Sequence, residues 1–148
     1  MQAEVAQTQL GVQPPLQADG ISFGVAICYE DMFGDEVINF MPSAQALLNV
    51  SNMAWFGDTW AADQHLQASQ MRALETGRWM VRSTNTGATA VIDERGRIVS
   101  RLPAFTTGTL VERVTPREGM TPYSRFGDVP FFVLLMIFVG FFGPARRL

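Results

Sequence analysis

The chain has 148 residues, of which 47% are hydrophobic and 17% are charged, and its net charge is −3 at neutral pH. This length and apolar fraction suit one folded domain, while a pI near 5.0 and the absence of a basic run before the C-terminus exclude a nucleic-acid-binding surface. A single cysteine and a single histidine exclude an internal disulfide and a Cys/His zinc site, so we expect no metal and no cofactor.

The first predicted elements alternate between strand and helix. The apolar run Ile21–Cys28 predicts a buried strand, and Gly34–Met41 carries apolar residues at helical spacing. Ala46–Val50 predicts a second buried strand. Ala61–Glu75 contains neither proline nor glycine and predicts a longer helix, which Gly77 ends as a C-cap.

Shorter strands are predicted next along the chain. Trp79–Thr84 is a third strand candidate, and Ala88–Ile92 and Arg97–Leu102 flank a turn suited to a hairpin. The alternating segment Gly108–Val114 predicts a final strand. Strand–helix alternation followed by hairpin strands predicts an α/β layer fold with a mixed sheet.

The end of the chain is strongly apolar. Val129–Gly143 has no charged residue and no polar face, and Arg146 and Arg147 follow it. As a helix this run would rise about 22 Å, short of the ~30 Å hydrocarbon core, so a span requires local thinning of the bilayer. We predict a transmembrane segment at 127–145, with the basic tail 146–148 in the cytoplasm and the preceding domain outside it.

Cys28 is the first candidate for chemistry. It ends the first predicted strand, and catalytic side chains of α/β sheets gather at the carboxyl ends of strands. A lone cysteine in this position is also the pattern of a small buried hydrophobe. The acidic neighbours Glu30 and Asp31 oppose formation of a thiolate. Position alone therefore leaves both readings open.

An ordered series of short segments surrounds this cysteine. They are Cys28-Tyr29-Glu30, Ser51-Asn52 with Ala54-Trp55-Phe56-Gly57, Gln64-His65 with Met71-Arg72-Ala73-Leu74-Glu75, Arg82-Ser83-Thr84-Asn85, and Gly119 with Thr121-Pro122-Tyr123. From about Gln13 to its end, the chain resembles the C-terminal half of the apolipoprotein N-acyltransferases, a membrane-bound family of the nitrilase superfamily. The resemblance implies that 20–126 is half of an αββα sandwich, the C-terminal half of a nitrilase-like catalytic domain, after an irregular segment at 1–19.

The resemblance also implies a chemistry. The family uses a Glu–Lys–Cys triad, and its cysteine matches Cys28; Tyr29 and Glu30 would support the site, and Trp55 and Phe56 would line the substrate path. The thiol would take an acyl chain from a phospholipid as a thioester and pass it to the N-terminal amine of a lipidated apolipoprotein. The expected location is a bacterial inner membrane, with the catalytic domain on its periplasmic side.

The remainder of the triad has no match in this sequence. Only 27 residues precede Cys28; they contain no lysine and one glutamate, Glu4, which does not match the family's base motif. We therefore expect a truncated form that is inactive alone. Two alternatives remain: half of a soluble-type carbon–nitrogen hydrolase acting on small amides, and a non-catalytic membrane-anchored interaction module. His65, Arg82 and Asn85 are expected to be structural.

Overall fold

A computed structural model describes residues 13–142 of the chain; Glu4 and the basic tail 146–148 lie outside the described residues. The strands are β1 (Leu16–Ala18), β2 (Ile21–Ile27), β3 (Ala46–Ser51), β4 (Met80–Thr84), β5 (Ala90–Ile92) and β6 (Ile98–Arg101). The helices are α1 (Gly34–Val37), α2 (Ala61–Thr76), α3 (Pro122–Phe126) and α4 (Val129–Phe142), with 3₁₀ turns at Cys28–Met32, Ile38–Phe40 and Ala54–Phe56.

The six strands form one mixed sheet in the order β1-β2-β3-β4-β5-β6. Strands β2, β3 and β4 are parallel, and the other pairings are antiparallel. The β1–β2 hairpin turns at Asp19 and Gly20, whose φ angles of 49° and 75° are those that a tight two-residue hairpin requires. The predicted α/β fold with a mixed sheet is confirmed.

The hydrophobic core lies on the sheet face that α1 and α2 cover. Leu47, Met80 and Ile92 are register partners on β3, β4 and β5, and each is at most 1% exposed. Burial of such a side chain stabilises the fold by roughly 1.5–3 kcal/mol. Gly24 continues this row on β2, where a Cβ would lie 2.8 Å from the Phe40 side chain. The row therefore forms part of the hydrophobic core just before the carboxyl ends of the parallel strands.

Two local predictions are wrong. No strand forms at Gly108–Val114, and Val111 is 86% exposed. Alternation alone does not make a strand, because a strand also requires a hydrogen-bonded neighbour. Conversely, the predicted irregular segment 1–19 contains β1 in its described part, since an extended piece of chain can pair with β2 through the hairpin. The predicted cap is confirmed, because α2 ends at Thr76 and Gly77 follows it with φ 64°.

The C-terminal apolar segment forms α4, a helix of 14 residues. Such a helix rises about 21 Å, less than the ~30 Å hydrocarbon core. Among residues 13–142, no helix combines the length and apolar character needed to cross a membrane. The described structure thus does not support the transmembrane segment predicted at 127–145.

Candidate active site

A sharp turn follows β2 at the carboxyl end of the parallel strands. Cys28 opens the 3₁₀ turn Cys28–Met32 with φ 54°, a left-handed conformation that costs a non-glycine residue roughly 1–2 kcal/mol. The Glu30 side chain folds back, and its Oε2 accepts a hydrogen bond of 2.7 Å from the Ile27 N–H. The turn thus holds the thiol-bearing residue in a backbone conformation that its surroundings must stabilise.

A cavity of about 400 Å³ opens beside this turn. Its walls are Cys28, Tyr29, Met32, Asn52, Met53, Trp55, Phe56, Ala61, Gln64 and His65. The structure therefore brings the predicted residues Cys28, Tyr29, Trp55 and Phe56 together around one space. Glu30 belongs to the same turn but is not one of the wall residues. Trp55 is 87% exposed, so its indole stands at the rim.

The turn itself carries a buried carboxylate. Asp31 is fully buried, and its Oδ1 lies 2.5 Å from Nε2 of His65. Its Oδ2 accepts hydrogen bonds from Ser69 Oγ at 2.5 Å and from Arg82 Nη1 at 3.2 Å. A buried charge is tolerated only when it is paired and hydrogen-bonded, and these three partners meet that requirement.

The same arginine also reaches the cysteine backbone through an asparagine. Asn49 on β3 is the register partner of Arg82 on β4, and both are at most 1% exposed. The Asn49 Oδ1 accepts from Ser51 Oγ at 2.5 Å and from Arg82 Nη1 at 3.3 Å. Its Nδ2 donates to the Cys28 carbonyl at 3.0 Å. The backbone of Cys28 is therefore bonded to the interior of the sheet.

Arg82 is the buried cation of this site. Burial lowers the pKa of Arg82 below its usual range, while the negative charge of Asp31 and then the Cys28 thiol oppose that shift. Since arginine begins from a very high pKa, the guanidinium stays charged. Its field thus reaches both Asp31 and the thiol.

A second polar cluster joins α2 to α3 and to the same turn. Arg72 donates from Nη2 to Glu75 at 2.8 Å and from Nη1 to the Met32 carbonyl at 3.3 Å. The Thr121 hydroxyl at the start of α3 donates to the Glu75 carbonyl. Burial raises the pKa of Glu75, and the charge of Arg72 partly opposes this. Helix α2 is consequently fixed to both the turn and the segment leading to α4.

The residues expected to be structural lie close to the cavity. His65 is buried and contacts Met53 Sδ through Nδ1 at 3.2 Å as well as bonding to Asp31, yet it also forms part of the cavity wall. Asn85 accepts from the Met53 N–H at 2.9 Å and donates to Asn52 at 2.8 Å, so it shapes the loop after β3. No group of three or more His, Cys, Asp or Glu residues within 13–142 could hold a metal ion.

Sequence reasoning missed the network of Asp31, Asn49 and Ser69 with Arg82. One signal for it was present. Asn49 is two residues from Leu47 in a strand, and Arg82 is two residues from Met80, so both polar side chains point to the face that carries the core. Two polar residues on the inward face of neighbouring strands indicate a buried polar pair.

Comparison with known protein families gives a match over most of the chain. The carbon–nitrogen hydrolase family matches residues 2–121. An apolipoprotein N-acyltransferase of Nitrosomonas europaea is 54% identical over 123 residues, which are 83% of this chain and 25% of that protein. One from Vibrio cholerae is 47% identical over 138 residues, 92% of this chain and 27% of that protein. The chain therefore spans about a quarter of the length of these relatives, and the resemblance seen in the sequence is confirmed.

Solved structures show the same fold. An amidase of the nitrilase superfamily from Nesterenkonia superimposes with a TM-score of 0.52 at 21% identity, over 64% of this chain and 39% of that chain. A carbon–nitrogen hydrolase from Helicobacter pylori superimposes with a TM-score of 0.55 at 12% identity, over 65% of this chain and 41% of that chain. The described sheet and helices are thus nitrilase-like.

Proposed function

Because the chain belongs to the carbon–nitrogen hydrolase family and is similar to apolipoprotein N-acyltransferases, we propose that it forms the nucleophile-bearing part of such an acyltransferase. The observation that carries the proposal is the position of Cys28, which stands in a strained turn at the wall of a cavity of about 400 Å³. Aromatic and methionine side chains supply much of that wall, as an acyl chain requires.

The proposed reaction has two steps. In the first, Cys28 Sγ attacks the carbonyl carbon of a phospholipid acyl ester, the C–O bond breaks, and the lysophospholipid leaves with the thiol proton. In the second, the N-terminal amine of a lipidated apolipoprotein attacks the thioester, an amide forms, and the thiol is regenerated. Splitting the transfer through a covalent intermediate makes each step easier than direct aminolysis of the ester.

The neighbouring residues take supporting roles in this proposal. The Tyr29 backbone N–H would donate to the oxyanion that forms during attack. Glu30 would hold the turn, because its carboxylate binds the Ile27 N–H at 2.7 Å. Trp55 and Phe56 would line the path of the acyl chain, and both are exposed at the rim of the cavity.

The glutamate that acts as general base and the lysine of the triad would come from the part of the relatives that this chain does not span. The sequence has no lysine, and Glu4 lies in a segment without the family's base motif. General-base help is worth about 10²–10⁴-fold and an oxyanion donor about 10²–10³-fold. We therefore expect the 148-residue chain alone to show no turnover with phospholipid and lipopeptide.

We also propose that the protein works at a bacterial inner membrane, with α4 in contact with the bilayer. Helix α4 supports this, because its large apolar side chains between Val129 and Phe141 are 43–82% exposed. Burying such surface in lipid is favourable.

Acylation of Cys28 by an activated ester tests the first step without the missing base. The detergent-solubilised chain is incubated with p-nitrophenyl myristate or p-nitrophenyl acetate, and the Cys28 peptide is examined by mass spectrometry. We expect faster acylation by the myristoyl ester and no adduct in Cys28→Ala. Preference for the acetyl ester would favour the soluble-type hydrolase, and an unreactive Cys28 would favour the non-catalytic module.

Complementation tests the complete reaction. The chain is co-expressed with the preceding part of the Nitrosomonas europaea relative, purified in detergent, and given phospholipid and a lipopeptide. We expect a triacylated product that depends on Cys28 and that the chain alone does not form. Product formation by the Cys28→Ala variant would overturn the assignment of the nucleophile.

A further inference from the structure

Two buried polar side chains connect the sheet to the backbone of the cysteine. One row of register partners across β2 to β5 consists of Ala26, Asn49, Arg82 and Ala90. On the same face of the sheet, it is the next row toward the turn after the apolar row that contains Leu47. Within this row, the two outer side chains are methyl groups and the two inner ones are polar. The polar pair is therefore placed directly between the hydrophobic core and the turn that begins at Cys28.

The Asn49 amide can adopt only one orientation in this network. Its oxygen accepts from Ser51 Oγ at 2.5 Å and from Arg82 Nη1 at 3.3 Å. A flipped amide would set its NH₂ group against the guanidinium, which has no acceptor, and its oxygen against the Cys28 carbonyl. The amide nitrogen must therefore face the Cys28 carbonyl, to which it donates at 3.0 Å.

The opposite end of the turn is bound to the same arginine. Asp31 lies three residues after Cys28, and its Oδ2 accepts from Arg82 Nη1 at 3.2 Å. Arg82 also donates to Ser69 Oγ at 2.7 Å, which in turn donates to Asp31. One guanidinium group thus holds both ends of the turn, directly at Asp31 and through Asn49 at Cys28.

We propose that Asn49 and Arg82 are positioning residues that orient the Cys28–Tyr29 peptide for acyl transfer. The inference rests on the proposed role of Cys28 as nucleophile. A trans peptide is planar, and its C=O and N–H point in opposite directions. Fixing the Cys28 carbonyl toward Asn49 therefore directs the Tyr29 N–H away from the sheet interior, where it can meet an oxyanion formed at the thiol.

Two reactions of the Cys28 thiol distinguish an effect on the orientation of the Cys28–Tyr29 peptide from an effect on the accessibility of the thiol. Acylation by p-nitrophenyl myristate forms an S–C bond, expels p-nitrophenolate, releases the thiol proton to buffer and passes through an oxyanion. Alkylation by iodoacetamide forms an S–C bond and releases iodide without an oxyanion. Since Cys28 is the only cysteine in the sequence, both rates report on this residue alone. Loss of peptide orientation should lower the ratio of the acylation rate to the alkylation rate.

The variants are chosen to preserve the fold. Asn49→Asp keeps the shape of the side chain and an acceptor for Arg82 but removes the donor to Cys28. Arg82→Lys keeps a positive charge on a side chain that is one atom shorter, which withdraws the donor from the position where Nη1 binds Asp31, Asn49 and Ser69. Arg78→Gln is the matched control, because Arg78 is an equally buried arginine that donates from Nε to the Ala44 carbonyl at 2.8 Å and from Nη2 to the Gly119 carbonyl at 2.6 Å. Each rate ratio is internal to one variant, which removes any common effect of altered stability or exposure.

We expect the ratio to fall roughly fivefold to tenfold in Asn49→Asp and in Arg82→Lys, the effect of losing about one hydrogen bond to the reacting region. The ratio should stay at the wild-type value in Arg78→Gln. An unchanged ratio in both test variants, or an equal fall in the control, would overturn the inference while leaving Cys28 as the nucleophile. A wild-type Cys28 that is alkylated but never acylated would instead overturn the proposed function.

Discussion

The carboxylate of Asp31 and the imidazole of His65 meet at 2.5 Å, although 34 residues separate them along the chain. Both side chains are buried, and the contact joins the turn after β2 to α2. The contact thereby ties the helix that covers the sheet to the turn that carries Cys28. Any movement of α2 against the sheet would have to break this contact.

Removal of the buried carboxylate should destabilise the chain strongly. In Asp31→Ala the Arg82 guanidinium stays buried without its counter-ion, which typically costs about 3–5 kcal/mol. His65→Gln should cost less, about 1–3 kcal/mol, because Asp31 keeps Ser69 and Arg82 as partners. Urea denaturation followed by circular dichroism measures both. Equal losses in the two variants would show that the ion pair with Arg82 is not the dominant contribution.

The stability of the chain should also be sensitive to truncation of a side chain in the apolar row that contains Leu47. Leu47 is 1% exposed, so Leu47→Ala leaves a cavity in the core, and we expect a loss of about 2–5 kcal/mol in the free energy of unfolding. Val111, 86% exposed, provides the control: Val111→Ala should change that free energy by less than about 0.5 kcal/mol. The prediction fails if the two alanine variants unfold at the same urea concentration.

Glu75 should contribute a pH dependence to stability. Burial raises its pKa in the folded state above the ordinary value of 4.5, so the folded chain binds the proton more tightly than the unfolded chain. The contribution of Glu75 to the free energy of unfolding is fully present below pH 4.5, and it is lost as the pH rises through the higher pKa of Glu75 in the folded state. Urea midpoints measured across this window should fall with increasing pH more steeply in the wild type than in Glu75→Gln. The exposed Glu112→Gln variant should follow the wild type, and parallel curves for all three proteins would contradict the prediction.

The exposed apolar helix should bind lipid. We expect the protein to float with phospholipid vesicles, to resist extraction by high salt and alkaline carbonate, and to be released by detergent. Leu134→Asp introduces a charge at a position that is 67% exposed on α4, and should weaken vesicle binding because a carboxylate in hydrocarbon costs about 3 kcal/mol. Val111→Asp makes the same change away from α4. Binding that is reduced equally by both substitutions would exclude α4 as the lipid contact.

Local sequence patterns predicted the frame of the fold but not the polar network within it. The apolar run before Cys28 and the segments around Leu47 and Met80 indicate buried strands, because burial of adjacent residues leaves a local signature. The bonds from Arg82 to Asp31 and Asn49 depend on the register of three strands and on the position of α2, which no short window contains. Alternation at Gly108–Val114 misled for the converse reason, since a periodic segment carries no information about whether a partner strand lies beside it.

The order of the strands has a consequence for how the sheet assembles. Each strand pairs with the strand that is next to it in the chain, and the longest connections are the crossovers from β2 to β3 and from β3 to β4. The entropy of loop closure grows slowly with length, and contacts between near neighbours in sequence favour rapid folding. Every hydrogen bond of the described ladder has both of its partners within residues 16–101. The described strands can consequently pair one after another in the order in which they occur along the chain.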